Sequence, residues 1–97
     1  MKILLARIYI SEGMHVHQKI LTRLHDVEQV KGVTMFRAIS GFGDSGVMHQ
    51  SSLVDLSLDL PLVIEFFDTP EKVEQVIKDL YDLVKPNHVL TFAAESH

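Results

Sequence analysis

The chain has 97 residues, of which 46% are apolar and 23% charged, and its formal net charge at pH 7 is -4. These values are typical of one soluble globular domain with a single core and no separate catalytic domain. The sequence has no cysteine, which excludes disulfides, thiolate metal sites and cysteine nucleophiles. It also has no cluster of lysine and arginine, which argues against a nucleic-acid partner.

The first predicted element is a strand, "KILLARIYI" at residues 2–10, because the segment is almost continuous in aliphatic and β-branched residues. Arg7 interrupts the apolar run too early for a secretion signal, so we expect a cytoplasmic protein that is not inserted in a membrane. A helix is predicted after Gly13. Its apolar residues recur at helical spacing and are Val16, Ile20, Leu21, Leu24 and Val27.

Two further strands are predicted in the middle of the chain. The first of them is "VTMFRAI" at residues 33–39, directly after Gly32. The second is "LPLVIEFF" at residues 60–67, where Pro61 is tolerated because it lies at the beginning of the strand.

A second helix and a last strand complete the predicted order. Thr69 can cap a helix and Pro70 suits its first position. The apolar stripe of this helix consists of Val73, Val76, Ile77, Leu80, Leu83 and Val84, and the last strand is "HVLTFAA" at residues 88–94. The order predicts an α+β fold of the ferredoxin-like, split β-α-β type (βαββαβ), with one antiparallel sheet and two helices on one face. We therefore predict a single domain over residues 1–97.

Both faces of this sheet are predicted to be apolar. If the even-numbered residues of the first strand face the helices, the open face receives Ile3, Leu5, Arg7 and Tyr9, together with Val63, Glu65, Phe67, Val33, Met35 and Arg37. A wide apolar open face predicts a homo-oligomer assembled through its sheets. Arg7, Glu65 and Arg37 are expected to form a charge cluster there, interpreted as an ion network that fixes the strand register.

Residues 41–46, "GFGDSG", match the G-x-G-x-x-G pattern of dinucleotide-binding loops. Such a loop must follow a strand and open a helix, whose N-terminus receives the pyrophosphate. The residues that follow, "SLVDLSLDL" at 52–60, alternate with a period of two, so they predict no helix and no Rossmann site.

Residues 40–59 are instead predicted to form one long loop between two adjacent strands. Because a hairpin needs only about two to five residues, a loop of this length is usually functional. Its glycines can form an anion-binding nest of N–H groups, with Arg37 and His49 as partners for a phosphate or carboxylate. The alternative is a glycine-rich loop that only folds over a neighbour.

Three segments, "RIYISE" (7–12), "RAISGFG" (37–43) with His49 after it, and "LSLDLPLVIEFFD" (56–68), resemble the PII-like family catalogued as domain of unknown function 190. The resemblance implies a ferredoxin-like subunit of a homotrimer, similar to PII signalling proteins and to CutA. It implies a regulatory protein in which residues 40–59 contact a target protein, such as a membrane transporter. It also implies that a small anionic ligand, of which an adenine nucleotide is the candidate, binds in the clefts between subunits.

The ligand-binding residues expected from this resemblance and from the loop are Arg37, Gly41, Phe42, Gly43, Ser45, His49 and Lys85. One departure concerns the connection before the last strand. PII proteins carry a second glycine-rich phosphate loop there, whereas this chain has only "VKPNH" at residues 84–88, in which Lys85 and His88 can contact a phosphate.

Two alternatives remain open at this point. His15 and His17 are a candidate pair of imidazole ligands for copper or zinc in a CutA-like metal-binding protein, although solvated histidines are the favoured interpretation. The chain can also be a purely structural subunit of a larger complex. No enzyme is predicted, because the sequence has no Ser-His-Asp order or nucleophile elbow, and Asp55 and Asp59 have no identifiable partner base.

Overall fold

The computed structural model describes residues 1–43, 49–50 and 60–97. Its strands are β1 (Lys2–Ser11), β2 (Gly32–Arg37), β3 (Ser40–Gly41), β4 (His49–Gln50), β5 (Pro61–Asp68) and β6 (Val89–Glu95). The α-helices are α1 (His17–Thr22) and α2 (Pro70–Asp79); a 3₁₀ turn (Glu12–Met14) precedes α1 and a π-helical segment (Arg23–Glu28) follows it. A four-stranded antiparallel sheet with two helices confirms the predicted ferredoxin-like fold.

The strand order of the sheet is β2-β5-β1-β6. The two central strands are therefore β1 and β5, the most continuously apolar segments of the sequence. Their antiparallel register places Ile8 opposite Ile64 and Arg7 opposite Glu65. Because side chains alternate along a strand, this register separates a helix-facing side from an open side.

The core lies between the sheet and the helices. Ala6, Ile8 and Ile64 are fully buried in the sheet, and Ile20 and Leu24 are fully buried beneath them in the first helical segment. The second helix contributes the remaining buried stripe, Val73, Val76 and Leu80. The even-numbered side of β1 thus faces the helices as predicted, because each such side chain removes its apolar surface from water there.

The predicted orientation of β2 is wrong, because the residues expected on the open face lie on the helix-facing side. Its register pairs Val33 with Phe66 and Arg37 with Leu62, so these residues share the helix-facing side, and Thr34 and Phe36 lie on the open side instead. Both sides of this strand carry apolar residues, so the alternation in the sequence does not identify the buried one. Packing decides it, because Val33 lies against the core.

The first helix also differs from its prediction. Regular α-helix ends at Thr22, and the chain continues as the π-helical segment Arg23–Glu28. A π turn holds more residues than an α turn, which shifts the later residues around the axis. Val27, predicted on the apolar stripe, is consequently 72% exposed.

A buried carboxylate stabilises the junction between β5 and α2. The Asp68 side chain accepts hydrogen bonds from the backbone N–H of Thr69 (2.7 Å) and of Lys31 (3.1 Å). Thr69 itself makes no side-chain capping bond. The helix does begin at Pro70, as predicted, but it ends at Asp79, and Leu83 and Val84 pack against the core from the turns that follow.

The segment between β2 and β5 is not irregular throughout. Ser40 pairs with Gln50 and Gly41 with His49 in a two-residue antiparallel ladder at its base. Ser45 and the period-two pattern of residues 52–59 lie outside the described residues. Across the described ranges, no helix has the length and apolar character needed to cross a membrane.

Candidate functional site

A cleft of about 460 Å³ opens at one end of the sheet. The antiparallel register brings the end of β1 beside the beginning of β5, since Ser11 pairs with Pro61. The residues after β2 and those before β6 reach the same end of the sheet. The cleft therefore lies where four chain segments meet, and these segments are remote from one another in the sequence.

Four of the predicted ligand-binding residues line this cleft: Gly41, Phe42, Gly43 and Lys85. Phe42 is 69% exposed and offers most of its ring to an incoming molecule. The lining also includes a basic wall, made up of Lys85 and His88, in addition to the aromatic wall of Phe42. Ile10 and Leu62 line the same cleft and make up its apolar floor.

Main-chain hydrogen bonds fix both walls. The Tyr9 N–H donates to the His88 carbonyl (2.9 Å), which attaches the connection before β6 to β1. The Ala38 N–H donates to the Pro61 carbonyl (2.9 Å), which attaches the residues after β2 to β5. His88 is oriented further by its Nδ1, which lies 2.9 Å from the Pro86 carbonyl oxygen. The His88 backbone and ring are thus held in place by contacts within the chain.

The two glycines of the cleft have different surroundings. A Cβ atom at Gly41 would lie 3.2 Å from the Pro61 ring, whereas a Cβ at Gly43 would meet nothing within 4 Å. Neither glycine has a φ in the left-handed region. Residues 41–43 therefore lack the alternating right- and left-handed conformation of an anion nest and contribute a low, open surface instead. Gly46, the remaining glycine of the loop, lies outside the described residues.

Arg37 is not among the residues that line the cleft. Its guanidinium Nε forms an ion pair with Oε1 of Glu12, in the 3₁₀ turn after β1. The Glu12 side chain is only 9% exposed, and the Glu12 N–H donates to the Leu60 carbonyl (2.9 Å). Arg37 thus neutralises a buried carboxylate at the base of segment 40–59, because an unpaired carboxylate at that depth would be costly.

Of the three residues predicted to form a charge cluster on the open face, only Arg7 and Glu65 lie there. The Arg7 Nε donates to Glu65 Oε1 over 2.9 Å, and the guanidinium lies 5.2 Å from the centre of the Phe92 ring. The bond to Glu65, with a further contribution from Tyr9, raises the pKa of Arg7 above its ordinary value. Arg37 was expected here and lies on the other face, because of the β2 register.

The histidines form no metal centre within residues 1–43, 49–50 and 60–97, since no group of three or more potential ligands occurs there. His15 is exposed and adopts a left-handed conformation with φ of 57°. His17 begins α1 and is half-buried. For His49 the structure gives the backbone alone, paired with Gly41.

Tyr9 and Ser11 are the cleft residues that sequence reasoning missed. Tyr9 was assigned only to the open face, where its alternation places it. It also reaches the cleft because it lies near the end of β1, at the rim of the sheet. The end of one antiparallel strand lies beside the beginning of its neighbour, and this relation would have placed Tyr9 near the residues at the beginning of β5.

Among solved structures, the fold is similar to that of CPII from Thiomonas intermedia K12, crystallised with bound ADP and bicarbonate. The TM-score is 0.66 at 22% sequence identity, over 97% of this chain and 85% of the other. It is also similar to the CutA protein of Archaeoglobus fulgidus, with a TM-score of 0.61 at 14% identity, over 100% and 85% of the two chains. The fold is therefore that of PII-like and CutA proteins.

Two relatives carry the sequence comparison further. A UPF0166 protein of Methanocaldococcus jannaschii is 34% identical over 92 residues, covering 87% of this chain and 81% of the relative. A UPF0166 protein of Aquifex aeolicus is 32% identical over 92 residues, covering 95% and 93%. The family model DUF190, described as "Uncharacterized ACR, COG1993", matches residues 2–95. The chain belongs to this family, as its resemblance indicated.

Proposed function

We propose that this protein is a PII-like regulator that binds a small anionic ligand, an adenine nucleotide, in the cleft at the end of its sheet. The observation that carries the proposal is the meeting of Gly41, Phe42 and Gly43 with Lys85 around one cleft. An aromatic ring and a lysine that line one cleft suit a ligand with a flat base at one end and a phosphate at the other.

The likeness to CPII adds support from outside the chain, because that protein was crystallised with ADP. In the proposed complex, the base packs against Phe42 and the apolar floor of the cleft. The phosphate lies on the basic wall, within reach of Lys85 and His88.

The proposed functional unit is a homotrimer. Four large apolar side chains on the open face of the sheet are between 37% and 51% exposed: Tyr9, Phe36, Leu90 and Phe92. A face of this kind on so small a domain is expected to be covered by other copies of the chain. Assembly through the sheets would leave the helices outward.

The proposed output is contact with a target protein through segment 40–59, with a membrane transporter as the candidate target. At the base of this segment Ile39 is 80% exposed and Phe42 is 69% exposed. Phe42 also lines the cleft, so a ligand that packs against its ring changes the surface a target meets. Ligand binding therefore alters the affinity for the target if the target binds the ligand-free and the ligand-bound protein differently.

Isothermal titration calorimetry with AMP, ADP, ATP and a cyclic nucleotide on metal-free protein tests the ligand. We expect binding by the native chain, and a loss of about tenfold in affinity for Phe42→Ala, since base–aromatic stacking contributes on the order of 1–3 kcal/mol. Tyr81→Ala is the matched control, because Tyr81 is 82% exposed and does not line the cleft. No heat from any nucleotide at millimolar concentration contradicts the proposal.

A further inference from the structure

We propose that the cleft selects a nucleotide with a single phosphate, so that a nucleoside monophosphate binds more tightly than the corresponding triphosphate. This inference rests on the proposed function and adds to it the charge class of the ligand. It follows from the number of positive charges that can face the ligand.

The described lining of the cleft contains one lysine, Lys85, and no arginine. His88 adds an imidazole. A triphosphate carries about four negative charges at neutral pH, and burying phosphate oxygens without a cation or a donor is unfavourable. One ammonium group leaves less uncompensated charge on a single terminal phosphate, which carries about two negative charges, than on a triphosphate.

The arginine adjacent in sequence to the cleft lining, Arg37, is already neutralised. Arg37 lies at the end of β2, next to the cleft residue Ala38, but its guanidinium is paired with the buried Glu12 carboxylate. Moving Arg37 onto a ligand would leave that carboxylate buried without its partner, at a cost that offsets the new contact. Arg37 therefore adds no net positive charge to the cleft.

A neighbouring subunit that docks through its open face does not add net positive charge to the cleft. The described strands place one arginine and no lysine on that face, because the residues sharing the Arg7 side are otherwise apolar, neutral or acidic. Glu65 pairs with Arg7 at 2.9 Å, so this cation too is neutralised.

The sequence of the intervening segment adds no cation either. From Ala38 to Leu60 the chain contains no lysine or arginine, and it contains three aspartates, Asp44, Asp55 and Asp59. Whatever these residues contact, their summed charge disfavours a highly anionic ligand.

The test is calorimetry with AMP, ADP and ATP in metal-free buffer at constant ionic strength. We expect affinity to fall from AMP to ATP, with ATP at least about tenfold weaker. Lys85→Met is expected to lower AMP affinity by about tenfold, whereas the matched control Lys78→Met, on the exposed side of α2, leaves it within about twofold. Thermal unfolding of each variant establishes that it is folded.

A second variant tests the role of the ion pair. Glu12→Gln removes the carboxylate that neutralises Arg37. We therefore expect the difference in affinity between AMP and ATP to be smaller for this variant than for the native chain. ATP binding as tightly as AMP to the native chain overturns the inference and leaves the proposed function intact. Absence of binding by all three nucleotides overturns the proposed function and the inference together.

Discussion

At the scale of single residues, two carboxylates respond to pH in opposite directions. Desolvation, followed by the nearby Asp79 carboxylate, raises the pKa of Glu28 above its ordinary value. The hydrogen bond from Arg23 lowers the pKa of Asp82, whose Oδ1 lies 2.8 Å from the Arg23 Nη1 atom. Asp82 therefore contributes stability above its unfolded-state pKa that is lost as the pH falls through its folded value. For Glu28 the stability present below its unfolded-state pKa is lost as the pH rises through its raised folded value.

Glu28→Gln is accordingly expected to stabilise the protein at neutral pH, by a few tenths to about 1 kcal/mol, because it removes a charge held beside Asp79 at a partly screened site. The gain should vanish below the ordinary glutamate pKa of 4.5, where Glu28 is already protonated in both states. Urea unfolding at pH 7 and at about pH 3.5 measures the difference. Glu74→Gln, at an exposed position of α2, is the control, and an equal effect of both variants at pH 7 would refute the explanation.

At the scale of the elements, the Asp68 carboxylate joins β5, α2 and the residue before β2. It is 5% exposed and accepts two backbone N–H groups, those of Thr69 and Lys31. Asp68→Ala leaves both partly buried donors without this acceptor, so we expect a loss of about 2–4 kcal/mol in the free energy of unfolding. Asp26→Ala, at an exposed position beside His25, should change it by less than about 0.5 kcal/mol. Equal losses in the two variants, measured by urea unfolding, would contradict this role.

The elements also show how far the sequence determines the structure. Strong local signals identified β1, β5 and the beginning of α2, where apolar runs or the Thr69-Pro70 pair leave few alternatives. The face of β2 and the exposure of Val27 were predicted wrongly, because each depends on contacts between elements. The same limit applies to the site. Gly41 and Lys85 were among the expected ligand-binding residues and line the cleft, whereas the Arg37–Glu12 pair follows only from the register of β2 and the turn after β1.

At the scale of the whole molecule, the proposed trimer depends on the open face of the sheet. The Arg7–Glu65 pair lies in the middle of this face and is surrounded by apolar side chains, so covering the face would bury a pair whose charges already satisfy each other. Such a pair adds little to stability, but it disfavours any register that separates its members. The cleft opens at the rim of the same sheet, since Tyr9 and Val63 reach both surfaces.

A charge placed on the open face should therefore dissociate the proposed trimer. Phe36 is 51% exposed and lies beside Val63, away from Arg7, so a new carboxylate at this position finds no described cation opposite it. We expect Phe36→Asp to raise the dissociation constant of the trimer at least about 100-fold, because a carboxylate would be buried without a partner. The matched control is Val27→Asp, on the helical layer, where the side chain is 72% exposed and should tolerate charge. Light scattering coupled to gel filtration at micromolar concentration measures both, with circular dichroism to show that each variant is folded. A native chain that is monomeric under these conditions, or a Phe36→Asp variant as trimeric as the control, would show that the sheet face is not the interface.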